Sequence, residues 1–134
     1  MLLALYHSIS FRKKLENHLL LNRYSCNVVE MAKKNNVKIT VLKKLNPSEV
    51  FNKSPVTPIN PLTACELYED GQEFIVNEDL ERPNDLCAWA WYPMYPLVAT
   101  LIYGGNFPWY KEKDVAISCC ADGLRPVIFK LERI

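Results

Sequence analysis

Residues 115–134 read VAISCCADGLRPVIFKLERI, the clearest hairpin signal in the chain. Val115 to Cys120 and Pro126 to Glu132 are two β-type runs. Between them lie Ala121, Asp122, Gly123, Leu124 and Arg125. Asp122-Gly123 is expected to supply the positive-φ positions that a hairpin loop needs. Antiparallel pairing is the natural result.

Upstream, the strand signals are fewer but firm. Val37, Ile39 and Val41 alternate with Lys38 and Thr40, which predicts a half-buried strand. Cys65 to Tyr68 lead into the turn Glu69-Asp70-Gly71, and Phe74, Ile75 and Val76 form a second strand. Residues 46–63 contain Pro47, Pro55, Pro58 and Pro61 and predict a loop, with a short helical turn at Pro47 to Phe51. Pro93 and Pro96 are expected to break the aromatic stretch into two short pieces. The second, Pro96 to Tyr103, predicts a helix with proline near its start and Gly104-Gly105 at its end. The sum is an α+β fold. It has a mainly antiparallel sheet of four or five strands, open or curled into a partial barrel, and one or two short helices.

The chain has 134 residues, 49% hydrophobic and 23% charged, with a formal net charge of +1. That composition is globular and excludes collagen-like and low-complexity chains. A neutral balance argues against a nucleic-acid binder working through bulk charge. Six lysines and one glutamate lie in residues 33–53, and eight acidic groups and one arginine in residues 66–85. The two segments are expected to complement each other rather than to form a basic face for an anionic partner.

Residues 1–30 differ from the rest. They are leucine-rich, and Ser10 to Leu21 has the pattern of an amphipathic helix capped by Ser10. The apolar run Met1 to Phe11 is too short to span a bilayer, which takes roughly 20 apolar residues. Its basic residues follow the run instead of preceding it, so no secretory pattern is present. The charge-free stretch Ala88 to Tyr110 carries three prolines and two glycines, which suit a membrane span poorly. The expected location is the cytoplasm. Met31-Ala-Lys-Lys-Asn-Asn precedes the first strand in the manner of a bacterial start. The expected organisation is therefore a 1–30 extension, arising from a mis-assigned start, and a single globular domain over 31–134. Both histidines, His7 and His18, lie in the extension, so the domain has none for a triad or a His-rich metal site.

Several motifs occur in order: Gly71-Gln-Glu-Phe-Ile-Val76, Cys87-Ala-Trp-Ala-Trp91, Gly104-Gly-Asn-Phe-Pro-Trp109 and Cys119-Cys-Ala-Asp-Gly-Leu-Arg-Pro-Val-Ile-Phe-Lys-Leu-Glu-Arg133. With Val37 to Lys43 and Cys65 they resemble an uncharacterised family of short bacterial and archaeal proteins, over about residues 36–134. Members of that family begin just before the first strand, which the resemblance extends to Met31 here. The resemblance implies no activity and no catalytic residue.

Three constellations are candidates for chemistry. The first is thiol-based. Cys65, Cys87 and either Cys119 or Cys120 would form a three-thiolate group, completed by Asp122 or water, for zinc or iron. The same thiols would instead serve redox or nucleophilic chemistry beside Arg125 or a lysine. Strand alternation sends Cys119 and Cys120 to opposite faces, so only one joins the group. No CxxC pair is present, and buried structural cysteine is the plainer explanation. The second is aromatic. Residues 87–110 hold Trp89, Trp91, Tyr92, Tyr95, Tyr103, Phe107, Trp109 and Tyr110, too many for a small core to bury completely. Trp89, Trp91, Tyr95 and Trp109 are the candidates for a small-molecule pocket or a homo-oligomer interface. The third is Asp122 with Arg125, a turn pair able to anchor an anion through the guanidinium. Two functions follow. One is a small binding or interaction module using the aromatic surface. The other is a metal or thiol protein using the cysteines.

Overall fold

The computed structural model describes residues 33–134. The expected helix over Ser10 to Leu21, the start at Met31, both histidines and Cys26 lie outside the described residues.

Six elements follow in order: β1 Val37–Lys44, α1 Pro47–Val50, β2 Glu73–Val76, α2 Ala88–Ile102, β3 Val115–Cys119 and β4 Val127–Arg133. The four strands form one sheet in the order β2-β1-β4-β3, antiparallel throughout. Among the described residues β2 and β3 are its two edges, so the sheet is open and not a barrel, and no fifth strand joins it.

Alternation decides which face is covered. Val37, Ile39 and Val41 of β1, Phe74 and Val76 of β2, Ala116 of β3 and Val127, Phe129 and Leu131 of β4 all point inward and are buried. α2 lays Ala90, Trp91, Met94, Val98, Leu101 and Ile102 against them, an apolar stripe at helical spacing. The opposite sheet face carries charge. Lys38 lies 3.1 Å from Glu73 and 3.6 Å from Glu132, and Lys130 lies 2.7 Å from Glu132. Lys44 reaches Glu69 at 3.6 Å, so the lysine-rich and acid-rich segments do complement each other.

The helix corrects one expectation. Pro93 and Pro96 do not split the aromatic stretch; α2 runs 15 residues straight through both. A proline inside a helix removes one N–H and leaves the carbonyl four residues earlier without its donor. For Pro93 that carbonyl belongs to Trp89, and the Ala121 N–H supplies the missing bond at 2.9 Å. Both prolines lie on the exposed side of the helix, where Tyr92, freed by Pro96, is also exposed. The penalty falls where a loop and solvent can offset it.

The helix stop agrees with expectation. Gly104 has φ +82°, its N–H donates to Leu101, and the Gly105 N–H donates to Thr100 at 2.8 Å. This is the paired bond pattern of a left-handed helix end, and only glycine takes that φ without strain. Arg133 then seals the end. Its guanidinium donates to the carbonyls of Leu101 and Gly105 at 3.2 and 3.1 Å and pairs with Asp114.

Two of the turns differ in mechanism. Gly71 has φ +84° and donates its N–H to Val41 at 2.8 Å, which continues the β1–β2 pairing. The β3–β4 loop corrects the second expectation. Neither Asp122 nor Gly123 has a positive φ. The loop closes through the Asp122 side chain, whose Oδ1 accepts the N–H groups of Leu124 and Arg125 at 3.1 and 3.3 Å. Among the described residues, no helix is long and apolar enough to cross a membrane.

Candidate functional site

Three separate chain segments meet at one end of the sheet and leave a cavity of about 270 Å³ between them. Cys65, Leu67 and Tyr68 come from the approach to the Gly71 turn. Cys87 and Trp89 come from the start of α2. Cys120, Asp122, Arg125 and Val127 come from the β3–β4 loop and its exit.

Tyr68 is the floor. It is only 2% exposed, and its ring meets Phe74 and Phe129 edge-on at 5.8 and 5.6 Å. Its hydroxyl accepts the Cys87 N–H at 2.8 Å, which joins the first segment to the cap of α2. Burial pushes the phenol up to about 12, against the pull of that N–H, so it stays protonated through the physiological range.

The second and third segments are joined by backbone. The Ala121 N–H to Trp89 carbonyl bond ties the hairpin loop to the first turn of α2. Trp89 itself is 64% exposed and forms a wall of the cavity at its rim.

The loop presents a polar pair. Arg125 Nε donates to Asp122 Oδ2 at 3.1 Å. Partial burial disfavours the Asp122 ion, but the guanidinium and the two N–H groups on Oδ1 outweigh it and hold the carboxyl below its ordinary value. Among the described residues the terminal nitrogens of Arg125 make no hydrogen bond. They remain as donors on a residue that lines the cavity. Cys120 Sγ accepts the Val127 N–H at 3.3 Å, while the Cys120 N–H donates back to Val127 at 3.0 Å.

The candidate residues therefore divide. Cys65, Cys87, Cys120, Trp89, Asp122 and Arg125 share one cavity, drawn from all three constellations. Cys119 is exposed on the other side of the sheet, as strand alternation requires. Trp91 is buried in the core, with its ring against the more exposed Tyr95. Trp109 is 68% exposed and belongs to a separate cluster with Phe107 and Tyr110. The four described cysteines are free thiols. Among the described residues, no group of three or more His, Cys, Asp or Glu side chains is placed to hold a metal ion. The three cavity thiols thus line one cavity without forming the candidate three-thiolate group.

No family model, curated protein or solved structure matches the chain. The cavity must be read from its own chemistry. Leu67, Tyr68 and Val127 are the lining residues that the sequence did not single out. The available signal was position, since Tyr68 ends the run that Cys65 begins, just before the Gly71 turn.

Proposed function

We propose that this domain is a small cytoplasmic binding module whose ligand seat is the cavity between Tyr68, Trp89 and Arg125. The observation that carries this reading is convergence: thiol, aromatic and Asp–Arg candidates, far apart in sequence, line one cavity. Its walls are mostly apolar, through Leu67, Tyr68, Trp89 and Val127. Arg125 adds donors in the forked geometry that suits a carboxylate. The volume of about 270 Å³ lies just below the usual range for drug-sized ligands, roughly 300–1,000 Å³, so the ligand is small. The ligand class that fits is a small organic acid with a flat apolar body. Titration with benzoate, read by tryptophan fluorescence, tests this. Quenching that saturates, and that Arg125→Ala weakens by about tenfold, supports it. Quenching that Arg125→Ala leaves unchanged argues against it.

A second reading draws on the outer side of α2. Trp89, Tyr92, Tyr95 and Tyr103 are exposed there, and the whole helix carries no charged side chain. Such a surface favours contact with a second copy of the chain. Sedimentation velocity of the wild type and Tyr92→Lys separates a dimer through this face from a monomer.

A further inference from the structure

The cavity holds more nucleophilic sulfur than a binding seat requires. Cys65, Cys87 and Cys120 line it as free, half-buried thiols. Two features distinguish Cys120 from the others. Its sulfur accepts the Val127 N–H at 3.3 Å, so the attacking thiolate has a donor in place. It also opens the loop that ends in Arg125, so Cys120 and Arg125 line the same cavity. The Asp122 carboxylate lines the cavity too, with Oδ1 engaged by two N–H groups and Oδ2 by Arg125 Nε.

We propose that the cavity is a thiol–disulfide exchange site in which Cys120 takes up one half of a small, carboxylate-bearing disulfide. The proposal rests on the cavity being a seat for a small organic acid. Arg125 holds the carboxylate, and Trp89 and Val127 enclose the carbon chain. The Cys120 thiol gives its proton to water, and the resulting thiolate attacks the nearer sulfur of the bound disulfide. A new S–S bond forms as the old one breaks, and the electron pair leaves on the departing thiolate, which takes a proton from water. The Cys120 sulfur is oxidised, the departing sulfur is reduced, and the external disulfide is the oxidant.

Charge makes the proposal testable. An unassisted thiolate repels an anionic disulfide, so a preference for one requires a cation beside the sulfur. Three small disulfides serve as probes: anionic dithiodiglycolate, neutral bis(2-hydroxyethyl) disulfide and cationic cystamine. Rates are read residue by residue by mass spectrometry of digested full-length protein, with exposed Cys119 as the internal control. Dithiodiglycolate is expected to modify Cys120 about tenfold faster than Cys119 and faster than cystamine does, with the opposite charge order at Cys119. Arg125→Ala is expected to slow the anionic reaction at Cys120 about tenfold and the neutral one far less, with the amide NMR spectrum of the variant reporting that it is folded.

Modification of Cys119, Cys65 or Cys87 ahead of Cys120, or the same charge order at Cys120 and Cys119, overturns the proposal. Benzoate separates it from the reading it rests on. If benzoate binds but dithiodiglycolate leaves Cys120 unmodified, the exchange chemistry falls and the seat stands. If benzoate does not bind and Cys120 reacts like Cys119, both fall.

Discussion

The N–H of Ala121 donates to the carbonyl of Trp89 at 2.9 Å, the carbonyl that Pro93 leaves without a helical donor. A helix defect and a loop thereby satisfy each other, and the bond between them closes one side of the cavity. Ala121 is exposed, so its amide would exchange rapidly if it were unbonded. It is expected to be protected about a hundredfold more than Gly123 in the same loop. Pro93→Ala returns a helical donor to Trp89 and should lower that protection while leaving the fold intact. Hydrogen exchange measured by NMR in both proteins checks this.

Gly105 is packed, not merely permissive. A Cβ there would meet Thr100 Cγ2 at 2.6 Å and the Thr100 carbonyl oxygen at 3.0 Å. Gly105→Ala is expected to destabilise the domain by about 1–3 kcal/mol in urea unfolding. Thr100→Ala in the same chain removes the side-chain clash but not the backbone one, so it should recover only part of the loss. Full recovery would show that the backbone contact carries no cost.

Tyr68 gives the fold an alkaline limit. Its phenol is raised from 10.0 to about 12 in the folded protein, chiefly by burial. For an acid raised on folding, the folded state holds the proton after the unfolded state has lost it. The stabilisation is complete below about pH 10 and is lost as pH rises toward 12. Tyr68→Phe removes this dependence, although it also gives up the bond from the Cys87 N–H. The variant should be less stable than wild type near neutrality, and the gap should narrow between pH 10 and 12. Urea midpoints across that range check the sign.

Much of the fold was legible in local sequence. Val127, Phe129 and Leu131 share one face, and Gly104 followed by Gly105 marks the helix end, because alternation and glycine geometry act over a few residues. The helix through Pro93 was not legible, because the donor that rescues the Trp89 carbonyl sits on the distant β3–β4 loop. The Asp122 loop was misread for a subtler reason. Asp-Gly signals a positive-φ turn, but an aspartate side chain can close a loop by itself, and here it does. The site was legible as a set of residue types and not as a place. Nothing local says that Cys65, Cys87 and Cys120 share a cavity, or that Trp109 lies in a different cluster from Trp89. That information is in the strand order β2-β1-β4-β3, which brings the Gly71 turn and the hairpin loop to the same end of the sheet.

The most direct test of the binding-seat account is a benzoate titration of the isotope-labelled full chain, followed by amide NMR. The account predicts saturable shifts confined to Cys65–Tyr68, Cys87–Trp89 and Cys120–Val127, which Arg125→Ala abolishes at the same concentrations. Shifts centred on Trp109 and Tyr110, or no shifts at the cavity residues, would contradict it.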